Sequence, residues 1–325
     1  MQPPQPQISL LTAYLLAIMN TLLIGLSFSF VKIAVTQAWP VDTLAFRFVT
    51  AWAICALFAR LKGIRFDWKN SLPLLPMALC YPLFFFLFQG FGLLFATSGE
   101  AGILAATGPI FTAIIAAVFI KERYNLIQSI SILLSVTGVI YIAIQQGASL
   151  NNLAGIVLLL LSAIAGAGYA VCNRTLVRSF STFEITYYLM TVGAVAFVLA
   201  SFVQHAAYGT FSTMFTPFTD LSFTVAILYL SIFPSLLVTV FVSLALNRHT
   251  AAGLTIFLNL STVVAILVGH LWLGETVHAF HLIGAAMILA GVIGTNGFAT
   301  PEKPEQKRSS ISLLGPKRQV RTHHS

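Results

Sequence analysis

Lys32 and Arg47 are basic residues set inside long apolar runs. An ionisable side chain in hydrocarbon costs roughly 2.5–3.5 kcal/mol on insertion scales, so such a residue faces protein or water. Asp42 and Glu100 stand at the starts of neighbouring runs, on the same side. Two readings follow. Lys32 and Arg47 form a basic patch that receives a carboxylate or phosphate. Alternatively they are structural partners of Asp42 and Glu100, with Lys32 snorkelling to the interface. Glu122 and Glu275 sit at run ends with no nucleophile–base pair beside them. Each is expected to fix its hairpin by accepting hydrogen bonds, from Arg123 or from loop backbone.

Other polar side chains lie within or near the runs: Asn20, Gln89, Ser98, Thr107, Tyr169, Asn173 and Asn259. They either bind polar groups of a ligand or bridge helices, the latter worth about 0.6 kcal/mol per pair in a membrane. Pro82, Pro109 and Pro234 remove helix hydrogen bonds and free carbonyls, giving breaks or bends. His278-x-x-His281 has helical spacing, but no third ligand stands nearby and no metal is expected. No Walker A loop, H-E-x-x-H or G-x-S-x-G is present, which weakens ATP hydrolysis, proteolysis and ester hydrolysis alike. No cofactor is expected.

These residues belong to a chain that is 58% hydrophobic and 8% charged, against about 25% charged in soluble domains. Lipid must be the solvent. Without water to satisfy the backbone, spans must be helices or a closed barrel. The runs are about twice the length of barrel strands and do not alternate, so the fold class is an all-α integral membrane protein. The net charge of +8 would suggest a nucleic-acid partner in a soluble protein; here the bases sit in loops and tail, and none is expected. Cys55, Cys80 and Cys172 all lie in apolar runs and read as small hydrophobes.

The predicted spans are 10–35, 41–60, 72–95, the two arms of the hairpin 99–141, 153–173, 183–204, 221–246, 251–273 and 278–298. That is ten helices, in two sets of five. The first run is too long, and too poorly flanked, for a cleaved signal peptide. A short tail (1–9), a polar linker (145–152) and a basic tail (299–325), expected to be disordered, complete the chain. The hairpin 99–141 returns in the second half: Glu275 answers Glu122, Gly291 answers Gly138, and Val292-Ile293 answer Val139-Ile140, all at 275 − 122 = 153. With the N-terminus inside, the inner segments hold 15 of the 17 Lys and Arg residues, leaving only Lys32 and Arg47. Both termini are therefore expected in the cytoplasm, most simply of a plasma (bacterial inner) membrane. The halves, 10–146 and 153–298, are then inverted repeats around a central cavity, an arrangement that builds secondary transporters.

The chain resembles the drug/metabolite transporter superfamily, in its EamA-like branch. The residues that carry the resemblance are the stretch GLSFSFVK ending at Lys32, Arg47-Phe48, Pro109…Glu122-Arg123…Gly138-Val139, and Leu273-Gly274-Glu275…Gly284…Gly291-Val292. It covers residues 10–298. It implies ten helices as an inverted repeat with a central cavity open by turns to either side, and outward movement of a small metabolite such as an amino-acid-like compound. A proline break is expected in the fourth span at Pro109; Thr262 stands at the matching place in the ninth. The candidate substrate-binding residues are Lys32, Arg47, Thr107, Tyr169 and Asn259. The candidate structural or gating residues are Pro109, Glu122, Gly138, Pro234, Glu275 and Gly291. The expected partners are a small-molecule substrate and membrane lipid. Small-residue stripes, Ser162/Gly166/Ala170 and Ala286/Ala290/Gly294, suit close packing within one protomer or in a homodimer. A membrane enzyme on a lipid-linked substrate would need acidic or histidine residues clustered at one face, and the nine acidic residues are scattered. A non-transporting scaffold or sensor would fill its interior with large apolar groups.

Overall fold

The computed structural model describes residues 10–64, 66, 68, 70–120, 125–145, 150–176, 180–238 and 251–297. Among these it is helical throughout, with no strand. The elements are α1 (Leu10–Gln37), α2 (Pro40–Leu61), a short α3 (Leu75–Ala78), α4 (Phe85–Phe95), α5 (Ser98–Ala105), α6 (Gly108–Ile120), α7 (Leu126–Gln145) and α8 (Leu150–Leu176). They continue as α9 (Thr182–Tyr208), α10 (Leu221–Ile232), α11 (Ala251–Leu273) and α12 (Ala279–Gly297). Wide π turns follow α3, at Leu79–Phe84, and α10, at Phe233–Leu237.

Local chemistry sets where several helices begin. Pro40 occupies the first position of α2, where its missing N–H is harmless. Thr97 with Glu100, and Ser181 with Glu184, form capping boxes that open α5 and α9. The Asp220 carboxylate accepts the Ser222 N–H at 2.7 Å and starts α10. Gly209, at φ 67°, ends α9 in the left-handed conformation that a side chain would resist.

The helices pack in pairs: α2 along α9, α7 along α12, α1 along α11, and α4 along α8. Phe28, Leu93, Leu159, Phe223, Leu230 and Ala265 join α1, α4, α8, α10 and α11 in one buried cluster. A second cluster, with Phe48, Met77, Phe86, Leu189 and Phe197, joins α2, α3, α4 and α9. Large apolar side chains such as Leu57, Leu133, Phe202 and Leu271 point outward. Apolar residues on both the core and the rim are what a lipid solvent requires.

Seven helical segments are long and apolar enough to cross a membrane, and an eighth arises if the pair Phe211–Thr219 and Leu221–Leu237, bent by 92°, is one span. The expectation of ten spans is met only to this extent among the described residues. Residues 239–246 of the expected eighth span lie outside them, and the apolar stretches Leu260–Leu273 and Ala279–Gly294 are short. The two tails and the charged corner with Glu122 also lie outside. The fourth span is interrupted at Ala106–Thr107, directly ahead of Pro109 in the first turn of α6, whereas α11 runs unbroken through Thr262.

Candidate functional site

Arg47 is the largest side chain wholly buried among the described residues. Its guanidinium lies 4.0 Å over the Phe86 ring of α4, and Nε donates to Ser235 Oγ at 3.1 Å. That is its sole hydrogen bond to a described residue. The Tyr81 and Tyr229 phenols lie within electrostatic reach.

Two proline-broken helices position these groups. Pro234 cannot supply the N–H that the Leu230 carbonyl would accept, and the helix widens into a π turn. Ser235 Oγ donates to that carbonyl instead, at 2.8 Å, and turns its lone pair to Arg47. One turn earlier, Ser231 Oγ lies 3.0 Å from the Arg47 carbonyl. On the other side Pro82 widens the turn Leu79–Phe84, where Tyr81 takes extended backbone angles (φ −144°, ψ 115°). The Tyr81 ring packs 4.8 Å from Phe86 and 4.7 Å from Tyr169 of α8. Pro82 and Pro234 are 234 − 82 = 152 residues apart, within one residue of the spacing between the two hairpins. Their equivalence was readable in the sequence but was not among the features drawn from it. Ser235, Phe86 and Tyr81 were missed for that reason.

Lys32 is elsewhere. Its ammonium donates to the carbonyls of Leu93 and Ala96, at 2.6 and 2.8 Å, and so closes the C-terminal end of α4. The expected pairings with Asp42 and Glu100 do not form. Asp42 accepts from Ser201 and lies 3.2 Å from His205 Nε2, whose Nδ1 is 2.7 Å from Thr210 Oγ1. Glu100 lies 3.1 Å from His281 Nε2. Helix geometry is the cause. The rotations of α1 and α2 turn the two cations towards α4 and α10, while each carboxylate meets a histidine of the second half.

The Glu275 carboxylate reaches across the protein to the start of α5. It accepts the N–H groups of Ser98 and Gly99, at 2.7 and 3.1 Å, and the Ser98 hydroxyl at 2.9 Å. Gly269 makes the passage: a Cβ there would collide with the carboxylate. Thr107 is buried at the α5–α6 break, its hydroxyl on the Leu104 carbonyl at 2.6 Å. Gly138 and Gly291 let α7 and α12 approach to backbone contact. Asn259 lies in α11, its side chain outside the described part, and Glu122 is outside the described residues altogether. Asn20 is buried in α1, with Oδ1 lacking a hydrogen-bond partner among the described residues. No group of three or more metal-ligating side chains occurs among the described residues.

A multi-pass membrane protein with a buried cation and an unsatisfied amide inside its helices is of the class that handles solutes. The EamA-like transporter family model matches residues 11–144 and again 153–297, and the chain belongs to that family. An uncharacterized transporter of Bacillus subtilis, YcxC, is 39% identical over 293 residues, 87% of this chain and 92% of the relative. A protein of Streptantibioticus cattleyicolor named "Probable terminal-alkyne amino-acid exporter" is 28% identical over 77% of this chain and 82% of its own length. A solved crystal structure, 17% identical, shares the fold with a TM-score of 0.61 over 90% of this chain and 100% of its own. The protein is an integral, multi-pass membrane transporter of a small molecule.

Proposed function

We propose that this protein is a secondary transporter that exports a small amino-acid-like compound by alternating access. In this reading its ten spans form two inverted five-helix repeats, 10–146 and 153–298, with both termini in the cytoplasm of the plasma (bacterial inner) membrane. The observation that carries it is Arg47: a buried guanidinium whose one hydrogen bond among the described residues is from Nε to Ser235, between two proline-broken helices at matching positions of the two halves. Paired interruptions of this kind mark transporter binding sites. The guanidinium fork suits a carboxylate, which it binds through two parallel hydrogen bonds. The rings of Phe86, Tyr81 and Tyr229 around it suit an apolar or aromatic side chain. The amino-acid exporter among the relatives supports the same class of substrate. Thr107, Tyr169 and Asn259 remain candidates for the pathway around Arg47, Lys32 is assigned to the closure of α4 instead, and Pro109, Glu122, Gly138, Pro234, Glu275 and Gly291 remain candidates for hinges and gates.

The test is a metabolite profile of cells with the gene deleted and overexpressed, followed by Arg47→Gln and Arg47→Lys. Export of the acid identified should fall about tenfold or more in Arg47→Gln and recover only partly in Arg47→Lys, at normal protein abundance. Undiminished export by Arg47→Gln would sink the assignment.

A further inference from the structure

Four helix ends meet at one level of the protein. Gln37, the last residue of α1, donates to Ser222 Oγ in the first turn of α10 at 2.7 Å. Trp39, directly ahead of α2, stacks on Tyr208, the last residue of α9, at 6.5 Å. With 28, 22 and 27 residues, α1, α2 and α9 are each long enough to reach from here across a hydrocarbon core of roughly 30 Å. The level at which they end together is a boundary between acyl chains and headgroups.

Between α9 and α10 the chain stays at this level. Two short 3-10 turns, Phe211–Thr213 and Thr216–Thr219, make up a segment bent by 92° from Leu221–Leu237. With the second part crossing the bilayer, the first lies along its surface. Phe211, Phe215 and Phe218 follow one another at intervals of four and three, on one stripe. Phe218 packs 4.7 Å from Phe46 of α2 and 5.1 Å from Phe223 of α10, and Phe211 packs 5.2 Å from Phe202 of α9. The segment is thus held on three helices, yet Phe215 is 64% exposed and Tyr208 73%. Their exposed surface continues down α9 through Val203, Phe202 and Leu199, the flank that lipid covers.

Residues 206–220 contain no Lys or Arg, and their one carboxylate, Asp220, is taken by the Ser222 N–H. Polar groups between the rings turn back on the segment itself. Thr213 Oγ1 donates to the Thr210 carbonyl at 2.9 Å and Thr219 Oγ1 to the Thr216 carbonyl at 2.8 Å. The N–H groups of Met214 and Phe218 bond the Phe211 and Phe215 carbonyls, and Pro217 has no N–H. Each internal bond lowers the cost of leaving water. Aromatic rings collect at this depth of a bilayer.

We propose that residues 208–220 are a lipid anchor, lying flat in the headgroup–acyl boundary with Tyr208, Phe211 and Phe215 among the lipids. It fixes the depth at which α9 ends and α10 begins. The occupant of the exposed face is bilayer lipid and not a second protein, because that face is one surface with the lipid-covered flank of α9. Attraction to anionic headgroups has no part in it, since the segment carries no cation. Phe211–Thr219 is then not part of a span.

The test measures depth and needs no substrate. In the full chain, with Cys55, Cys80 and Cys172 replaced by alanine, nitroxide labels are attached at Ser212→Cys, Phe215→Cys, Thr219→Cys and Leu199→Cys in phosphatidylcholine nanodiscs. Relaxation by oxygen against a water-soluble nickel chelate reports how deep each label lies. Phe215→Cys should lie about 5–10 Å below the phosphates. Leu199→Cys should lie deeper, since it is nine residues of α9, about 13 Å, from Tyr208. Ser212→Cys and Thr219→Cys leave every ring in place and should agree in depth to within about 5 Å. An upright segment would separate them by about 14 Å. A Phe215→Cys label as open to the nickel chelate as one in bulk water would overturn the proposal. So would labels closed to both relaxants, as under a second protein, or a depth difference of ~10 Å or more between Ser212→Cys and Thr219→Cys. Failure of the Arg47 assignment would leave this result untouched.

Discussion

Ser135 Oγ of α7 donates to the Ile288 carbonyl of α12 at 2.9 Å, and the two residues are 288 − 135 = 153 apart, the spacing of the internal repeat. Each residue thus touches its own counterpart. Neighbouring contacts obey the same rule: Gly138 lies against the Gly284 carbonyl, and Gly291, its counterpart, lies against the Ser131 carbonyl, the counterpart of Gly284. The α7–α12 crossing is self-complementary in the way of a two-fold interface, within a single chain.

Close helix contact at this crossing depends on missing side chains. Gly138→Leu and Gly284→Leu should each destabilise the protein by about 1–3 kcal/mol, through forced separation of α7 and α12. Thermal unfolding in detergent measures it. Gly108→Ala is the control, since a Cβ there meets nothing within 4 Å. Equal melting of all three variants would remove the crossing from the account.

Glu275 and Gly269 form a second close relationship. Glu275→Ala should lose the cap on α5, about 0.5–2 kcal/mol. Gly269→Ala should lose as much or more by pushing the carboxylate off Ser98 and Gly99. Together the losses should be less than additive, because the added methyl then meets no carboxylate. Strict additivity in a double-mutant cycle would show that the clash is absorbed elsewhere.

Lys32 and Arg47 should separate cleanly by mutation. Lys32→Met removes the closure of α4 on Leu93 and Ala96 and should lower abundance or melting temperature, with the apparent affinity for acidic substrates held. Arg47→Gln should do the reverse. Ser235→Ala should weaken both, since its hydroxyl serves Arg47 Nε and the Leu230 carbonyl, at a stability cost of about 1–3 kcal/mol. A Lys32→Met protein that keeps its stability but loses transport of acids would return Lys32 to the binding site.

Orientation is checked by reporter fusions at Gly147 and after Thr300. The fusion at Gly147, after five spans, should report the outside and the fusion after Thr300 the cytoplasm, because the expected outer segments hold no Lys or Arg. An external signal from the second fusion would invert or break the two-repeat arrangement.

Composition and spacing alone settled a good deal. Lipid as solvent, helices as the spanning element, and the hairpin spacing of 153 are all local or periodic properties, visible residue by residue. So was the interruption ahead of Pro109, because proline cannot continue a hydrogen-bonded helix from within. Partner choice was not legible. Glu275 was marked as a hairpin carboxylate, yet its donors, Ser98 and Gly99, lie 177 and 176 residues upstream. Lys32 and Arg47 were read either as one patch or as partners of Asp42 and Glu100, and the structure sends one to the end of α4 and the other to Ser235 and Phe86. In a soluble helix the apolar stripe reveals which face turns inward. Here lipid and core are equally apolar, the stripe vanishes, and the rotation of each helix about its axis is fixed only by packing against the others.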